Sequence, residues 1–148
     1  MDAYVIEEDF GFDNLNRVER DQPEVGSDEV LVKMLAVSPN YRDVLMIRGM
    51  YNPNQELPLI PFSDGVGEVV EVGGDVSRVE VGDRVCPTFF RDWVAGRPTK
   101  QRLKSALGGP LDGPLVEYMA VPAEAVVEVP EYLTDEQAAT LPCAGLTA

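Results

Sequence analysis

No histidine occurs anywhere in the 148 residues. That absence removes the side chain that most often serves as a general base near neutral pH and as a neutral metal ligand. Cysteine is almost as scarce: Cys86 and Cys143 stand far apart with no secretory signal ahead of them, so reduced thiols are expected rather than a disulfide. Two isolated cysteines without histidine cannot assemble an ordinary structural zinc site. Basic residues are also few, 12 against 26 acidic ones, giving a formal net charge of −14. Such a surface repels phosphates and anionic lipid, which argues against nucleic acid and membranes as partners. Long hydrophobic runs are missing as well. No stretch approaches the roughly 18 apolar residues of a membrane span, and the acidic start MDAYVIEEDF is unlike a basic signal peptide, so a cytoplasmic location is expected.

What is present is enough to fold. Hydrophobic residues make up 45% and charged residues 26%, and the length suits one ordinary domain with a substantial core. Val, Ile and Tyr enrichment with partial alternation predicts strands over residues 3–7, 14–19, 29–37, 67–72, 84–89, 115–121 and 125–129. Gly26-Ser27-Asp28 and Gly73-Gly74-Asp75 read as turns between them. Short helices are expected over 43–48, ended by Gly49, and over about 99–107, ahead of Gly108-Gly109-Pro110. Thr134-Asp135-Glu136-Gln137 fits a capping box that opens a third helix through about residue 140. The apolar restart Leu141-Pro142-Cys143-Ala144-Gly145-Leu146-Thr147-Ala148 then stops without a polar tail, so an N-terminal piece of a longer polypeptide is expected. No G-x-G-x-x-G follows a strand, and the glycines at 108, 109 and 113 read as loop punctuation, not a phosphate cradle.

The most informative stretch is FSDGVGEVVEVGGDV, residues 62–76. It resembles the signature G-H-E-x-x-G-x-x-x-x-x-G-x-x-V of zinc-containing alcohol dehydrogenases in the medium-chain dehydrogenase/reductase superfamily. Gly67, Gly73 and Val76 fall on the pattern, while Phe62-Ser63-Asp64 stand where Gly-His-Glu is expected. Asp28-Glu29-Val30-Leu31-Val32, Ser38-Pro39-Asn40-Tyr41-Arg42-Asp43, Leu57-Pro58-Leu59-Ile60-Pro61 and Val81-Gly82-Asp83-Arg84-Val85 are similar to further family segments and occur in family order. The resemblance implies a mainly β fold with short helices, a GroES-like and partly open β-barrel that forms the substrate side of such enzymes. It places that domain over residues 1–133, with 134–148 a helix and the start of a crossover into a Rossmann domain absent from this chain.

The same resemblance implies how the site has changed. The family's first zinc segment, Cys-His-x-Asp, is matched by Asn40, Tyr41, Arg42 and Asp43, the second ligand by Ser63, and the third by Cys143. A serine hydroxyl is a poor zinc ligand, and one ligand of three cannot hold a catalytic zinc. The cysteine-rich lobe of many relatives is replaced by residues 86–113, which hold a single cysteine. The chain therefore looks most like the zinc-independent branch close to quinone oxidoreductases. Implied are NAD(P)-dependent hydride transfer, no metal, a homodimer as the full-length protein, and a small alcohol, aldehyde, ketone, quinone or enone as substrate. Implied catalytic residues are Asn40, Tyr41, Asp43, Tyr51, Ser63 and Asp64; implied cofactor contacts are Asn40, Cys143 and Thr147.

Plainer roles exist for each. Asn40 reads equally as a turn residue, Asp43 as a helix cap, Ser63 and Asp64 as strand-entry polar residues, and Cys143 as a small apolar side chain. Tyr41 and Tyr51 read as packing residues with wet hydroxyls, and Phe89, Phe90 and Trp93 as cover for the core or cleft. Two other functions also fit: a non-catalytic binding module on a borrowed barrel, and a zinc enzyme using Asp64, Asp43 and Cys143.

Overall fold

The computed structural model describes residues 1–148. Its longest strand is β3 (Glu29–Ser38), where Val30, Leu31 and Val32 are buried. Strand β3 pairs antiparallel on one side with β4 (Asp64–Val72) and on the other with β6 (Tyr118–Pro122). With β5 (Arg84–Pro87) and β7 (Val126–Glu128) they make a five-stranded sheet in the order β6-β3-β4-β5-β7. A separate two-stranded sheet pairs β1 (Asp2–Ile6) with β2 (Leu15–Glu19). The sheets remain open and do not close into one continuous barrel. The expected fold class, mainly β with short helices, is what the chain adopts.

Two signature glycines sit where the chain crosses itself tightly. A Cβ at Gly67 would collide with Val32 and the Lys33 carbonyl, and one at Gly73 with the Gly26 and Ser27 carbonyls. Glycine is required there by close backbone approach. The main core, Val30, Val32, Val69, Val85, Leu107, Met119, Val121 and their neighbours, lies against the five-stranded sheet.

Two satellite clusters position the site. Ile6, Met46, Ile47 and Leu59 fix helix α1 (Tyr41–Ile47) to β1 and the chain before β4. Each such buried side chain contributes about 1.5–3 kcal/mol. Val66, Cys86, Ala138 and Ala139 fix helix α3 (Asp135–Ala139) to β4 and β5. The start of β4 lies between these two anchors.

Several boundaries differ from expectation for local reasons. Strand β4 begins at Asp64, three residues before the expected start at 67, because Asp64, Gly65 and Val66 continue the pairing with Ser38, Val37 and Ala36. Helix α1 begins at Tyr41, two residues before the expected Asp43, because Asn40 is the extended residue that precedes it. The expected helix over 99–107 shrinks to α2 (Lys100–Leu103), since Ala106 and Leu107 bridge to Phe90 and Leu111 instead. The capping box at Thr134 forms as expected: Thr134 Oγ1 accepts the Gln137 N–H at 3.3 Å, and Gln137 Oε1 accepts the Thr134 N–H at 3.1 Å. A single π turn over Leu141–Gly145 follows α3. No helix is long and apolar enough to cross a membrane.

Candidate active site

At the entry to α1 the Asn40 N–H donates to Asp43 Oδ2 at 2.7 Å, the return arm of a capping box. Asp43 Oδ1 faces Arg42 Nη1 at 3.4 Å, and the Asp43 carboxyl has no exposed surface. Burial pushes its pKa above the ordinary 3.8, while the Asn40 N–H and the Arg42 charge pull the other way and Asp64 adds to the rise.

A second carboxylate opens β4. Asp64 is also fully buried; its Oδ1 accepts the Ser63 hydroxyl at 3.1 Å. Its Oδ2 accepts two main-chain N–H groups of the π turn, Cys143 at 3.1 Å and Ala144 at 3.4 Å. These charge-assisted bonds tie the end of the chain to the sheet across 79 and 80 residues. The Cys143 thiol is held above its ordinary pKa by burial first and by the Asp64 charge second, so it is a protonated thiol, not an activated thiolate. Cys86 behaves alike: burial and Asp64 push it to about 11, and its Sγ lies 3.4 Å from the Ala138 carbonyl.

Arg42 is the buried cation of the region, 9% exposed. Its Nη1 donates to the Leu107 carbonyl at 3.1 Å and its Nη2 to the Gly109 carbonyl at 3.3 Å. The guanidinium lies 4.9 Å from the ring centres of both Tyr51 and Phe89. Arg42, Tyr51, Met46, Phe89, Phe90 and Pro110 line a cavity of about 360 Å³. Phe89 and Phe90, packed edge to face at 4.7 Å, also wall a larger apolar groove of about 630 Å³ with Trp93, Val129, Leu141 and Leu146.

The expected site residues fall into three groups. Asn40, Asp43, Ser63, Asp64 and Cys143 meet around the starts of α1 and β4. Tyr51, half-exposed, stands at the cavity with its ring centre 4.9 Å from the Arg42 guanidinium. Tyr41 is 76% exposed and does not line that cavity, and Thr147 is exposed, its hydroxyl donating to the Cys143 carbonyl at 2.6 Å. Sequence reasoning passed over Arg42 and the Leu107 and Gly109 carbonyls. The signal was an arginine in the first turn of a short helix whose later residues, Val44 to Ile47, are apolar.

The alcohol dehydrogenase GroES-like domain family matches residues 26–131. The chain belongs to this family. It is 44% identical over 147 residues to a zinc-type alcohol dehydrogenase-like protein of Schizosaccharomyces pombe, covering 98% of this chain and 42% of that protein. It is 33% identical over 140 residues to a chloroplastic quinone oxidoreductase of Triphysaria versicolor, covering 93% of this chain and 37% of that one. Among solved structures, a putative alcohol dehydrogenase from Sinorhizobium meliloti 1021 superposes with a TM-score of 0.84 at 38% identity, covering 99% of this chain and 43% of that one. The chain thus spans about two fifths of the length of these relatives.

The donor set of this alcohol dehydrogenase GroES-like domain does not fit the zinc in the first relative's name. Asn40 and Ser63 offer an amide and a hydroxyl, the Asp64 oxygens are taken by Ser63 and two amides, and Cys143 is left as the one ordinary zinc ligand among the three matched positions. No three His, Cys, Asp or Glu side chains of this chain group to hold a metal.

Proposed function

We propose that this GroES-like domain is the substrate-side half of an NAD(P)-dependent oxidoreductase that works without zinc on a small alcohol, aldehyde, ketone, quinone or enone. The carrying observation is the pair of buried carboxylates kept beside ligand positions that have become Asn40 and Ser63, next to a cavity walled by Arg42, Tyr51 and Phe89. Residues 134–148 are the start of the crossover towards a nucleotide-binding domain, and the whole protein is a cytoplasmic homodimer in this reading.

Reduction of a carbonyl places negative charge on its oxygen, and a fixed donor must meet that charge. Tyr51, half-exposed and lining the cavity, supplies the hydroxyl that is the donor for that oxygen and the source of the proton that completes the alcohol. Asn40 Nδ2 is buried without a partner, a donor free for the carboxamide of a nicotinamide. Asp64 accepts the Cys143 N–H, the Thr147 hydroxyl donates to the Cys143 carbonyl, and in this reading Cys143 and Thr147 contact the cofactor. Bound NAD(P)H supplies the hydride in such chemistry, which this chain's residues orient but do not perform.

The test is turnover of the full-length polypeptide with NADH and NADPH across alcohols, aldehydes, quinones and enones, with and without a chelator. Nucleotide-dependent turnover that survives the chelator is expected. Absence of turnover with every pair, or activity that zinc alone restores, overturns the proposal.

A further inference from the structure

Among the buried polar side chains, Arg42 alone carries positive charge, beside two buried carboxylates. Taking a guanidinium out of water is unfavourable unless its donors and charge are matched. Here the matching is specific. Asp43 faces one nitrogen, the Leu107 and Gly109 carbonyls accept from the two ends of the fork, and only Nε lacks a partner. Aromatic rings lie 4.9 Å away at Tyr51 and at Phe89. A flat, delocalised cation can face two rings while its edge donates in-plane; the compact ammonium of lysine cannot.

The geometry points to a positioning role. We propose that Arg42, by contacting Tyr51 and Phe89 at once while gripping the Leu107 and Gly109 carbonyls, fixes the aromatic walls of the 360 Å³ cavity for a neutral carbonyl substrate. Tyr51 is 51% exposed, and the guanidinium, 4.9 Å from its ring centre, is a contact that can hold the ring against the cavity. The 88–113 segment, which supplies Phe89 and Phe90, is latched to α1 through the same side chain. This inference rests on the substrate-side reading above and names the residue that shapes its pocket.

The experiment uses the full-length polypeptide and acetophenone, a neutral aromatic ketone, as probe. Its dissociation constant is measured by ligand-observed NMR and, where turnover exists, KM and kcat are measured separately. Arg42→Lys keeps the charge beside Asp43, Arg42→Met keeps the apolar stem, and Arg48→Met removes a cation–π contact to Phe12 outside the cavity. Both Arg42 variants are expected to weaken acetophenone binding by about tenfold or more, the scale of one desolvated cation–π contact, and to lower kcat as well as raise KM, because the Tyr51 ring they release carries the proposed proton donor. Arg48→Met is expected to match the wild type. Folded Arg42→Lys that binds and turns over like the wild type overturns the proposal, and so does a wild type that does not bind acetophenone. Binding that depends on Arg42 without any nucleotide-dependent turnover supports the proposal while the hydride-transfer reading fails.

Discussion

Asp43 and Asp64 are both fully buried, one in the first turn of α1 and the other at the first residue of β4, yet they keep different company. Asp64 is surrounded by donors: one hydroxyl and two main-chain amides that reach it from the far end of the sequence. Asp43 has one main-chain donor and a long contact to Arg42, too little to offset its burial. The lesson is that carboxylates in neighbouring positions divide the work. Asp64 is a clamp that locks the π turn to the sheet, and Asp43 is a less satisfied charge coupled to the cation that walls the cavity.

The strongest way to break this contrast is Asp64→Ala. It strands two amides and a hydroxyl at once, and a loss of about 3–5 kcal/mol is expected in urea unfolding, as for other broken buried charge contacts. A loss under about 1 kcal/mol would mean the clamp is not made. Next comes Cys86, whose thiol shares the Asp64 field. Its folded pKa is raised from 9.0 to about 11, so its stabilising share is complete below 9.0 and is lost as pH rises through about 11. About 2–3 kcal/mol of alkaline destabilisation, at about 1.4 kcal/mol per pKa unit, should be present in the wild type and missing from Cys86→Ala when denaturation is compared across that window.

Ser63→Ala removes one donor from Asp64 and leaves the two amides, so a loss of about 1 kcal/mol is expected in the same unfolding measurement. A loss as large as that of Asp64→Ala would shift the clamp from the π turn to the serine. The subtlest effect belongs to Asp43. Its folded pKa is raised, so its stabilising share is fully present below the ordinary 3.8 and fades as pH rises through the folded value. Relative to Asp43→Asn, the wild type should therefore gain stability on acidification from neutral pH, read as a sloping difference between their unfolding midpoints. A flat difference would mean that Asp43 is not an under-satisfied charge.

Much of the scaffold could be read along the chain because its causes are local. Alternating Val-rich runs marked the strands, Gly67 and Gly73 marked the tight crossings, and Thr134 with Gln137 marked the start of α3. Ser63 and Asp64 were legible because they stand in a signature with fixed spacing. The energetic partners were not. Arg42 reaches carbonyls 65 and 67 residues away, and Asp64 finds its amides 79 and 80 residues away, through contacts that main-chain groups of any residue type can make. Nor did composition reveal that Phe62, where the signature has glycine, adopts φ 75°, a left-handed conformation that sterics make unfavourable by about 1–2 kcal/mol for a residue with a Cβ. Tyr41 and Tyr51 looked alike in sequence; Tyr41 opens α1 with its side chain exposed, while Tyr51 follows the helix and lies against Arg42 at the cavity.

In the function proposed, this family frame works without its metal while Asp43 and Asp64 keep their places. Zinc content, measured by inductively coupled plasma mass spectrometry on the full-length protein purified without chelator and dialysed against zinc-free buffer, tests it most directly. The account predicts far less than one equivalent of zinc per chain. A full, tightly retained equivalent that is lost on replacing Ser63, Asp64 or Cys143 would contradict it.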